Sequence, residues 1–281
     1  MVIPTRRRPN LLPQSVAAVL AQVTDAPFEV LVVNDDAEPL RCRLPDDPRL
    51  RVLTGSARGV SSARNIGIRA ARSPILAFTD DDTVASPGWL AAALDAFAAN
   101  PDALGVEGPF DYERDPDILY EHVPGTVLPG TYCSANIAYR TAAVVAAGMF
   151  DERFRRAACE DIDLGLRIAA LGEVVWAPAM TMGHPPRAVS YREWVGRGRL
   201  VENDYLLHRK HPDLSPHRLP LRWGPVVFRA RIGARMLRDP AVTQGSPARM
   251  LRAAALSTGL VTVAFVTACT RRYPDVRVGV S

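Results

Sequence analysis

The chain has 281 residues, of which 48% are hydrophobic, and its 34 basic and 30 acidic side chains give a formal net charge of +4. This length and apolar content favour one large folded domain with an extension and argue against intrinsic disorder. A net charge this small gives little support for nucleic-acid binding, so we expect no nucleic-acid partner.

The four cysteines include no Cys-x-x-Cys pair. They indicate reduced thiols rather than a disulfide framework or a zinc site. The first residues also lack the long apolar segment of a secretory signal. We therefore expect the amino-terminal part of the chain to stay in the cytoplasm.

Strands and helices alternate along the first half of the sequence. The predicted strands are 28–33, 51–53 and 75–78, and the predicted helices are 11–21, 61–71 and 87–99. Such alternation predicts an α/β fold with a mainly parallel central sheet flanked by helices. Further along, residues 130–139 have extended character and a helix begins at Glu160.

Carboxylates follow two of the predicted strands. The strand at 75–78 leads into Asp80, Asp81 and Asp82, and the strand at 28–33 leads into Asp35 and Asp36. Adjacent carboxylates repel one another and raise each other's pKa values, and a divalent cation such as Mg²⁺ or Mn²⁺ relieves this repulsion. Both acidic groups should open on one crevice at the carboxyl edge of the sheet. A polar turn or a helix cap is the plainer alternative.

Five segments within residues 1–212 follow one another with consistent spacing. They are Ile3-Pro4-Thr5, residues 29–36, Gly59-Val60-Ser61-Ser62-Ala63-Arg64-Asn65-Ile66-Gly67, residues 78–82, and Gly148-Met149-Phe150-Asp151-Glu152 followed by Glu160-Asp161. In this order they resemble the family 2 glycosyltransferases, and five motifs in register are specific where one is weak. The resemblance implies the GT-A fold of nucleotide-diphospho-sugar transferases, and transfer of a sugar from such a donor to an acceptor hydroxyl.

The resemblance also assigns a metal site. Asp80 and Asp82 match the family's D-x-D metal-binding pair, with Asp82 as the favoured ligand of Mn²⁺ or Mg²⁺ and Asp80 nearer the ribose or a metal-bound water. Asp81 belongs to the same donor-binding group. His184 lies where some GT-A enzymes place a third metal ligand. A lone histidine is more often structural, although imidazole suits Mn²⁺.

Three further residues match donor-binding positions of the family. Asp35 corresponds to the acid that contacts the nucleotide base, Thr5 lies beside it, and Arg64 lies near the diphosphate. A carboxylate can accept a hydrogen bond from a uracil-type N–H, so a UDP-sugar is the favoured donor. A strand-end turn and a solvated helix arginine are the respective alternatives for Asp35 and Arg64.

Asp161 matches the family's catalytic base, which takes the proton of the acceptor hydroxyl as the hydroxyl attacks the anomeric carbon. Attack opposite the leaving diphosphate would invert the configuration. The neighbouring Glu160 is expected to raise the pKa of this base or to orient the acceptor. Acidic residues in the first turn of a helix also complement the helix dipole, which is their structural alternative.

The sequence departs from the family pattern near its beginning. Where the family has a full apolar strand before the Pro-Thr, this chain has only Val2 and Ile3 after Met1, so we expect a short first strand or a natural start that lies upstream. Residues 6–8 are three arginines where the family has an aromatic-polar pair. Asp36 and Ala37 replace the common Gly-Ser.

Beyond residue 212 the chain becomes rich in proline and arginine, so we predict a GT-A domain at 1–212 and an Arg-rich helical extension at 213–281. Arginines from Arg222 to Arg238 alternate with apolar residues, and residues 253–270 carry no charge between Arg249, Arg252, Arg271 and Arg272. This segment fits a short membrane span and a helix packed on the catalytic domain equally well. We expect association with the inner face of the cell membrane and a lipid-linked or cell-envelope acceptor.

Two other classes of protein fit part of the pattern. Residues 80–84 also match the nucleophile motif of Mg-dependent phosphohydrolases of the haloacid dehalogenase type. That chemistry needs a catalytic lysine followed by a second acidic pair, and Lys210, the only lysine, has no such pair after it. A non-catalytic nucleotide-sugar-binding module is the remaining alternative.

Overall fold

The computed structural model describes residues 1–112, 114, 117, 119–122, 128–214, 224–238 and 246–270. The chain forms two compact units. The first unit is Met1–Pro116 with Val123–Pro186, and the second is Asp117–His122 with Arg187–Ser281. The domain boundary after residue 212 stays a prediction, and residues 215–220 beside it lie outside the described residues.

The secondary structure of the described residues follows the predicted order. In chain order the strands are β1 (Val2–Thr5), β2 (Val30–Asn34), β3 (Leu50–Thr54), β4 (Ile75–Phe78), β5 (Val84–Ala85), β6 (Gly105–Glu107), β7 (Phe110–Asp111), β8 (Glu121–His122), β9 (Ile137–Arg140), β10 (Val174–Trp176), β11 (Met182–Gly183) and β12 (Arg187–Ala188). The helices are α1 (Leu12–Leu20), α2 (Val60–Ala70), α3 (Trp89–Ala99), α4 (Thr141–Ala146), α5 (Glu160–Ala169), α6 (Tyr191–Gly196), α7 (Val201–Lys210), α8 (Gly224–Arg238) and α9 (Pro247–Thr270), with 3₁₀ turns at Arg197–Leu200 and Pro212–Leu214.

The first unit contains a central sheet in the order β10-β6-β9-β4-β1-β2-β3. Strand β9 is antiparallel to both of its neighbours, and the other adjacent pairs are parallel. The mainly parallel sheet predicted from the sequence is therefore confirmed. A three-stranded sheet, in the order β5-β11-β7, lies in the same unit.

Strand registry brings the predicted acidic segments to one edge. Thr5, the last residue of β1, pairs with Asn34, the last residue of β2. Strand β4 pairs with the other side of β1. The residues after β2 and after β4 therefore leave the sheet at the same carboxyl edge, which is where α/β folds bind ligands.

The central strands are buried on both faces, as parallel sheets require. On one face Ile3, Val30 and Val32 pack in a core with Leu12, Val16 and Trp89 of the helices α1 and α3. On the other face Val2, Leu31 and Val33 pack with Ala63, Ile68, Leu164 and Ile168 of α2 and α5. Each fully buried valine, leucine or isoleucine of these two clusters contributes roughly 1.5–3 kcal/mol.

The extended segment predicted at residues 130–139 is a strand only from Ile137 onward. The preceding residues turn because the buried carboxylate of Glu107 accepts hydrogen bonds from the backbone N–H groups of Gly130 and Tyr132. These N–H groups therefore bind a side-chain carboxylate instead of the backbone carbonyl groups of a neighbouring strand. This turn precedes Ser134 at the carboxyl edge.

The second unit is built around α9. This helix buries Ala253, Leu256, Leu260, Ala264 and Ala268, whose spacing of three or four residues forms one helix face. Gly198 lies so close to α9 that a Cβ atom there would come within 2.6 Å of the carbonyl oxygen of Leu260. Both helices predicted in the extension are present as α8 and α9. Arg222, Arg271 and Arg272 lie outside the described residues.

Candidate active site

The loop after β4 is fixed at the carboxyl edge by hydroxyl groups. Ser15 of α1 and Thr83 each donate a hydrogen bond to the carbonyl oxygen of Asp80, both at 2.9 Å. Thr5 donates to the Asp81 carboxylate at 2.6 Å. Burial raises the pKa of Asp81 to about 6, even though Arg8 and the Thr5 hydroxyl favour its ionised form. The three acids therefore have different surroundings, with Asp81 buried and Asp80 and Asp82 partly accessible.

A guanidinium lies between two of these acids. One terminal nitrogen of Arg8 is 2.8 Å from Asp81 Oδ1 and also donates to Asp82 Oδ2. Burial lowers the pKa of Arg8, but these two carboxylates and that of Asp80 outweigh it and raise the pKa. Arg8 thus supplies a positive charge to the acidic residues Asp81 and Asp82.

Asp35 is tied into the same edge through its backbone and one carboxylate oxygen. Its N–H donates to the Thr5 carbonyl at 2.8 Å, and its Oδ2 accepts from the N–H of Gly59 at 2.8 Å. Gly59 has a φ of 111°, and a Cβ atom there would come within 2.5 Å of the Arg155 carbonyl, so only glycine fits. Within the described part of the chain, the buried Oδ1 of Asp35 has no hydrogen-bond partner.

A pocket of about 370 Å³ opens beside these residues, a volume in the usual range for small-molecule sites. Its wall includes Thr5, Arg7, Arg8, Asn34 and Asp36. Asp36, which binds Arg7 at 2.6 Å, lines this pocket, whereas Asp35 is not part of the wall. The pocket is therefore polar and carries both charge signs.

Arg64 joins the loop after β4 to α5. Its side chain is only 2% exposed, and its two terminal nitrogens donate to Asp80 Oδ1 at 2.8 Å and to Glu160 Oε1 at 2.7 Å. The guanidinium also lies over the ring of Phe150, 5.3 Å from the ring centre. A buried guanidinium shared by two acids fixes the relative position of those acids.

Asp161 lies at the start of α5 with its carboxylate held on both sides. The N–H of Ile162 donates to Oδ1 at 2.9 Å, and the N–H of Ser134 donates to Oδ2 at 3.2 Å. Burial raises the pKa of Asp161, with Arg64 acting in the opposite direction. Burial, and then the charge of Asp161, also raise the pKa of Glu160. A carboxylate of raised pKa accepts a proton more readily, as a general base must.

His184 completes the group. Its Nε2 is 3.8 Å from Asp82 Oδ1, and its ring meets the ring of Phe110 edge-on. Its buried Nδ1 has no hydrogen-bond partner among the residues that the structure describes. An imidazole nitrogen and a carboxylate oxygen are ligands that suit Mn²⁺. Among those same residues, however, no group of three or more His, Cys, Asp or Glu side chains is already arranged to hold a metal ion.

The residues singled out in the sequence thus gather in the first unit, at one edge of its sheet. They are Thr5, Asp35, Arg64, Asp80, Asp81, Asp82, Glu160, Asp161 and His184. Two contributors were not foreseen. Ser134 had no sequence signal, and Arg8 was hidden in a run of three arginines on a non-periodic loop.

Comparison with known proteins agrees with this architecture. The model of the family "Glycosyl transferase family 2" matches residues 1–145, which is more than half of the chain. The chain belongs to glycosyl transferase family 2.

Individual relatives are more distant. A glucosyl-dolichyl phosphate glucuronosyltransferase of Haloferax volcanii is 33% identical over 100 residues, covering 34% of this chain and 32% of that protein. A validoxylamine A glucosyltransferase of Streptomyces hygroscopicus subsp. limoneus is 28% identical over 263 residues, covering 77% of this chain and 57% of that protein. The chain therefore spans less than two thirds of the length of either relative.

A solved structure extends the likeness to the fold. The mannosyltransferase PcManGT from Pyrobaculum calidifontis, in complex with GDP-Man and Mn²⁺, superposes with a TM-score of 0.59 at 17% identity, covering 95% of this chain and 85% of that one. The GT-A fold expected from the sequence is confirmed.

Proposed function

We propose that this chain transfers a sugar from a nucleotide-diphosphate donor to an acceptor hydroxyl, in a metal-dependent reaction that inverts the anomeric configuration. One observation carries the proposal. Arg64 links Asp80 of the donor-binding acids to Glu160, which precedes the candidate base Asp161. A transferase needs a leaving-group site and a base within one crevice, and this bridge holds the two at a fixed separation.

The donor nucleotide is assigned to the pocket beside β1 and β2. Asp35 lies next to Asp36 of the wall without lining the pocket itself, and its unpaired Oδ1 is proposed as the acceptor of a base N–H, as the sequence predicted for uracil. Asp36 and Thr5 lie on or beside the pocket wall and give it further polar groups. A UDP-sugar is the favoured donor, and GDP-sugars are the direct competitor in the test below.

Asp82 and His184, with Asp80 nearby, are the residues that would hold Mn²⁺ or Mg²⁺. Their fit rests on Nε2 of the buried His184, which faces Asp82 Oδ1 at 3.8 Å, because an imidazole nitrogen and a carboxylate oxygen both suit Mn²⁺. When bound, the ion supplies positive charge that stabilises the departing diphosphate.

Asp161 takes the proton of the acceptor hydroxyl. The N–H groups of Ser134 and Ile162 orient its carboxylate, and burial raises its pKa towards a more basic range. Attack from the side opposite the diphosphate gives inversion. The PcManGT structure was solved with GDP-Man and Mn²⁺, which supports a nucleotide-sugar donor and a divalent ion as the class of ligand.

The second unit is assigned to the inner face of the cell membrane. Among the described residues one helix, Pro247–Cys269, is long and apolar enough to cross a bilayer. Its exposed side chains include Leu251 and Phe265, which are about four turns apart and so share a face. Arg249 and Arg252 instead bind Asp117 and the Leu119 carbonyl within the unit, so adhesion should depend mainly on apolar contact.

Vesicle sedimentation tests this assignment. Leu251→Gln with Phe265→Gln should release the protein from vesicles, whereas Leu171→Gln, at an exposed leucine of the first unit, should not. Full recovery of the wild-type chain in the soluble fraction at low salt would refute membrane association. A membrane location would fit a lipid-linked acceptor.

Thermal unfolding with nucleotides tests the donor site. The unfolding midpoint is measured with UDP, GDP, CMP and TDP, each with and without Mn²⁺, for the wild type and for Asp82→Asn. We expect a metal-dependent rise that is selective for one nucleotide and absent in the variant. Asp151→Asn, which alters an acid paired with exposed Arg153, serves as the control.

The phosphohydrolase alternative is not favoured by the family or by the fold. Release of phosphate from simple phosphomonoesters, abolished by Asp80→Asn, would restore it. A folded protein that binds a nucleotide-sugar without ever cleaving it would instead favour the binding module.

A further inference from the structure

We propose that the Arg8 guanidinium is a built-in counter-ion of the Asp81–Asp82 pair and that a divalent ion binds Asp82 only by displacing it. The proposal rests on the metal-dependent function above and assigns a role to a residue that has none so far. Under this proposal the metal ion and the Arg8 side chain compete for Asp82.

The geometry of the contact supports this exchange. A single nitrogen of Arg8 touches one oxygen of Asp81 and one of Asp82, so it occupies one of the two oxygens with which Asp82 could bind an ion. The Asp81 and Asp82 side chains are only 6% and 13% exposed, whereas the Arg8 side chain is 38% exposed. Since an arginine stays protonated at any physiological pH, its charge leaves the acids only when the side chain moves.

The two sides of the contact differ in how firmly they are held. Asp81 is fixed by the Thr5 hydroxyl at 2.6 Å, and its loop is fixed by Ser15 through the Asp80 carbonyl. The long side chain of Arg8 comes from a loop between β1 and α1 and has solvent on one side. Displacement should therefore move Arg8 and leave the carboxylates in place.

The arrangement of the candidate metal ligands also supports displacement of Arg8 by the ion. Asp82 uses one oxygen for Arg8 and turns the other towards His184, at 3.8 Å. No cluster of three or more potential ligands is preformed within the described ranges. A site whose cation position is held by a guanidinium would have this half-assembled arrangement.

A displaced Arg8 has a second place to bind. The same residue lines the 370 Å³ pocket assigned to the donor, next to Arg7 and Thr5. A guanidinium pairs well with phosphate oxygens through two parallel hydrogen bonds. Entry of the ion would thus free a cation for the donor diphosphate, and by linkage each ligand would raise the affinity for the other.

The adjacent Arg7 offers a matched control. It carries the same charge on the same loop, but it binds Asp36 at 2.6 Å and is 72% exposed. Arg7→Gln and Arg8→Gln change the net charge equally. Only Arg8→Gln removes the counter-ion from Asp81 and Asp82.

The test is a Mn²⁺ titration of the full chain without nucleotide, followed by the electron paramagnetic resonance signal of the free ion. If Arg8 occupies the acids about nine-tenths of the time, the apparent affinity of the wild type is reduced about tenfold. We therefore expect Arg8→Gln to bind Mn²⁺ about tenfold more tightly than the wild type, and Arg7→Gln to stay within about threefold. Equal affinities of the two variants would overturn the proposal.

Two further measurements guard against a variant that fails to fold. Arg8→Lys keeps the charge but loses the planar fork, so its Mn²⁺ affinity should lie between those of the wild type and Arg8→Gln. Without metal, the unfolding midpoint of Arg8→Gln should lie below that of Arg7→Gln, and Mn²⁺ should restore it. A midpoint that Mn²⁺ does not restore would count against the exchange.

The experiment also separates this inference from the function on which it rests. If the wild type binds Mn²⁺ in the presence of UDP or GDP but Arg8→Gln binds it no more tightly, only the displacement is wrong. If neither protein binds Mn²⁺ with any nucleotide, the metal-dependent function and the displacement both fail.

Discussion

Replacing Arg64 with glutamine should destabilise the protein far more than the loss of an ordinary arginine. The side chain is almost fully buried and neutralises both Asp80 and Glu160. Glutamine keeps part of the volume but leaves Glu160 buried without its cation. The nearby charge of Asp161 would then oppose ionisation of Glu160 even more strongly.

The expected destabilisation by Arg64→Gln follows from the burial of the Arg64–Glu160 ion pair. Above pH 7, where Glu160 is mainly ionised, removing one partner of this buried ion pair costs about 3–5 kcal/mol, because the remaining charge loses its compensation. For a chain of this size, each kcal/mol lowers the unfolding midpoint by about 2–4 °C, so the total fall should be roughly 6–20 °C. Arg153→Gln is the control, since Arg153 binds Asp151 at the surface, where a pair contributes about 0–1 kcal/mol.

The assay is urea unfolding of the wild type, Arg64→Gln, Glu160→Gln and the double variant. The free energy of unfolding of the double variant should fall by less than the sum of the falls in the two single variants. Removing Glu160 also removes the charge that Arg64→Gln leaves uncompensated. Additive losses of unfolding free energy would refute the view that Arg64 neutralises both Asp80 and Glu160. A loss for Arg64→Gln no larger than that for Arg153→Gln would refute it as well.

Three further predictions concern the same edge of the sheet. Asp161→Asn should reduce sugar transfer by about 10²–10⁴-fold with donor affinity unchanged, as steady-state rates and nucleotide titrations would reveal, since only the proton acceptor is lost. Burial raises the pKa of Glu160 to about 7, so the native state holds this proton more tightly than the unfolded chain does. The free energy of unfolding should therefore fall as the pH rises from about 5 to about 7, and Glu160→Gln should flatten that fall in urea titrations. Gly59→Ala should lower the unfolding midpoint and weaken nucleotide binding in calorimetry, because its φ of 111° and the nearby Arg155 carbonyl leave no space for a Cβ atom. An alanine variant with unchanged stability and binding would contradict the Gly59 assignment.

The sheet edge was predictable because it depends on local pattern. Apolar strands followed by Asp35 and by Asp80 imply one edge once the alternation of strands and helices is recognised. The contacts across that edge were less accessible to sequence reasoning. Arg8 and Arg7 are adjacent and chemically identical, and only the folded loop determines which of them meets Asp81.

Residues 130–139 show the same limit for secondary structure. Their composition suits a strand, but the Glu107 carboxylate, far away in sequence, takes the backbone N–H groups of Gly130 and Tyr132. Tertiary hydrogen bonding here overrides local propensity. The contact of Ser134 with Asp161 follows from that turn and could not be read from spacing.

The most direct test of the central claim is release of nucleoside diphosphate from a panel of UDP- and GDP-sugars, with and without Mn²⁺. Water can replace the unknown acceptor in this assay. We expect release from one class of donor that requires Mn²⁺ and is lost in both Asp82→Asn and Asp161→Asn. Release that persists without metal and in both variants, or no release from any donor by folded protein, would contradict the assignment of this crevice to metal-dependent sugar transfer.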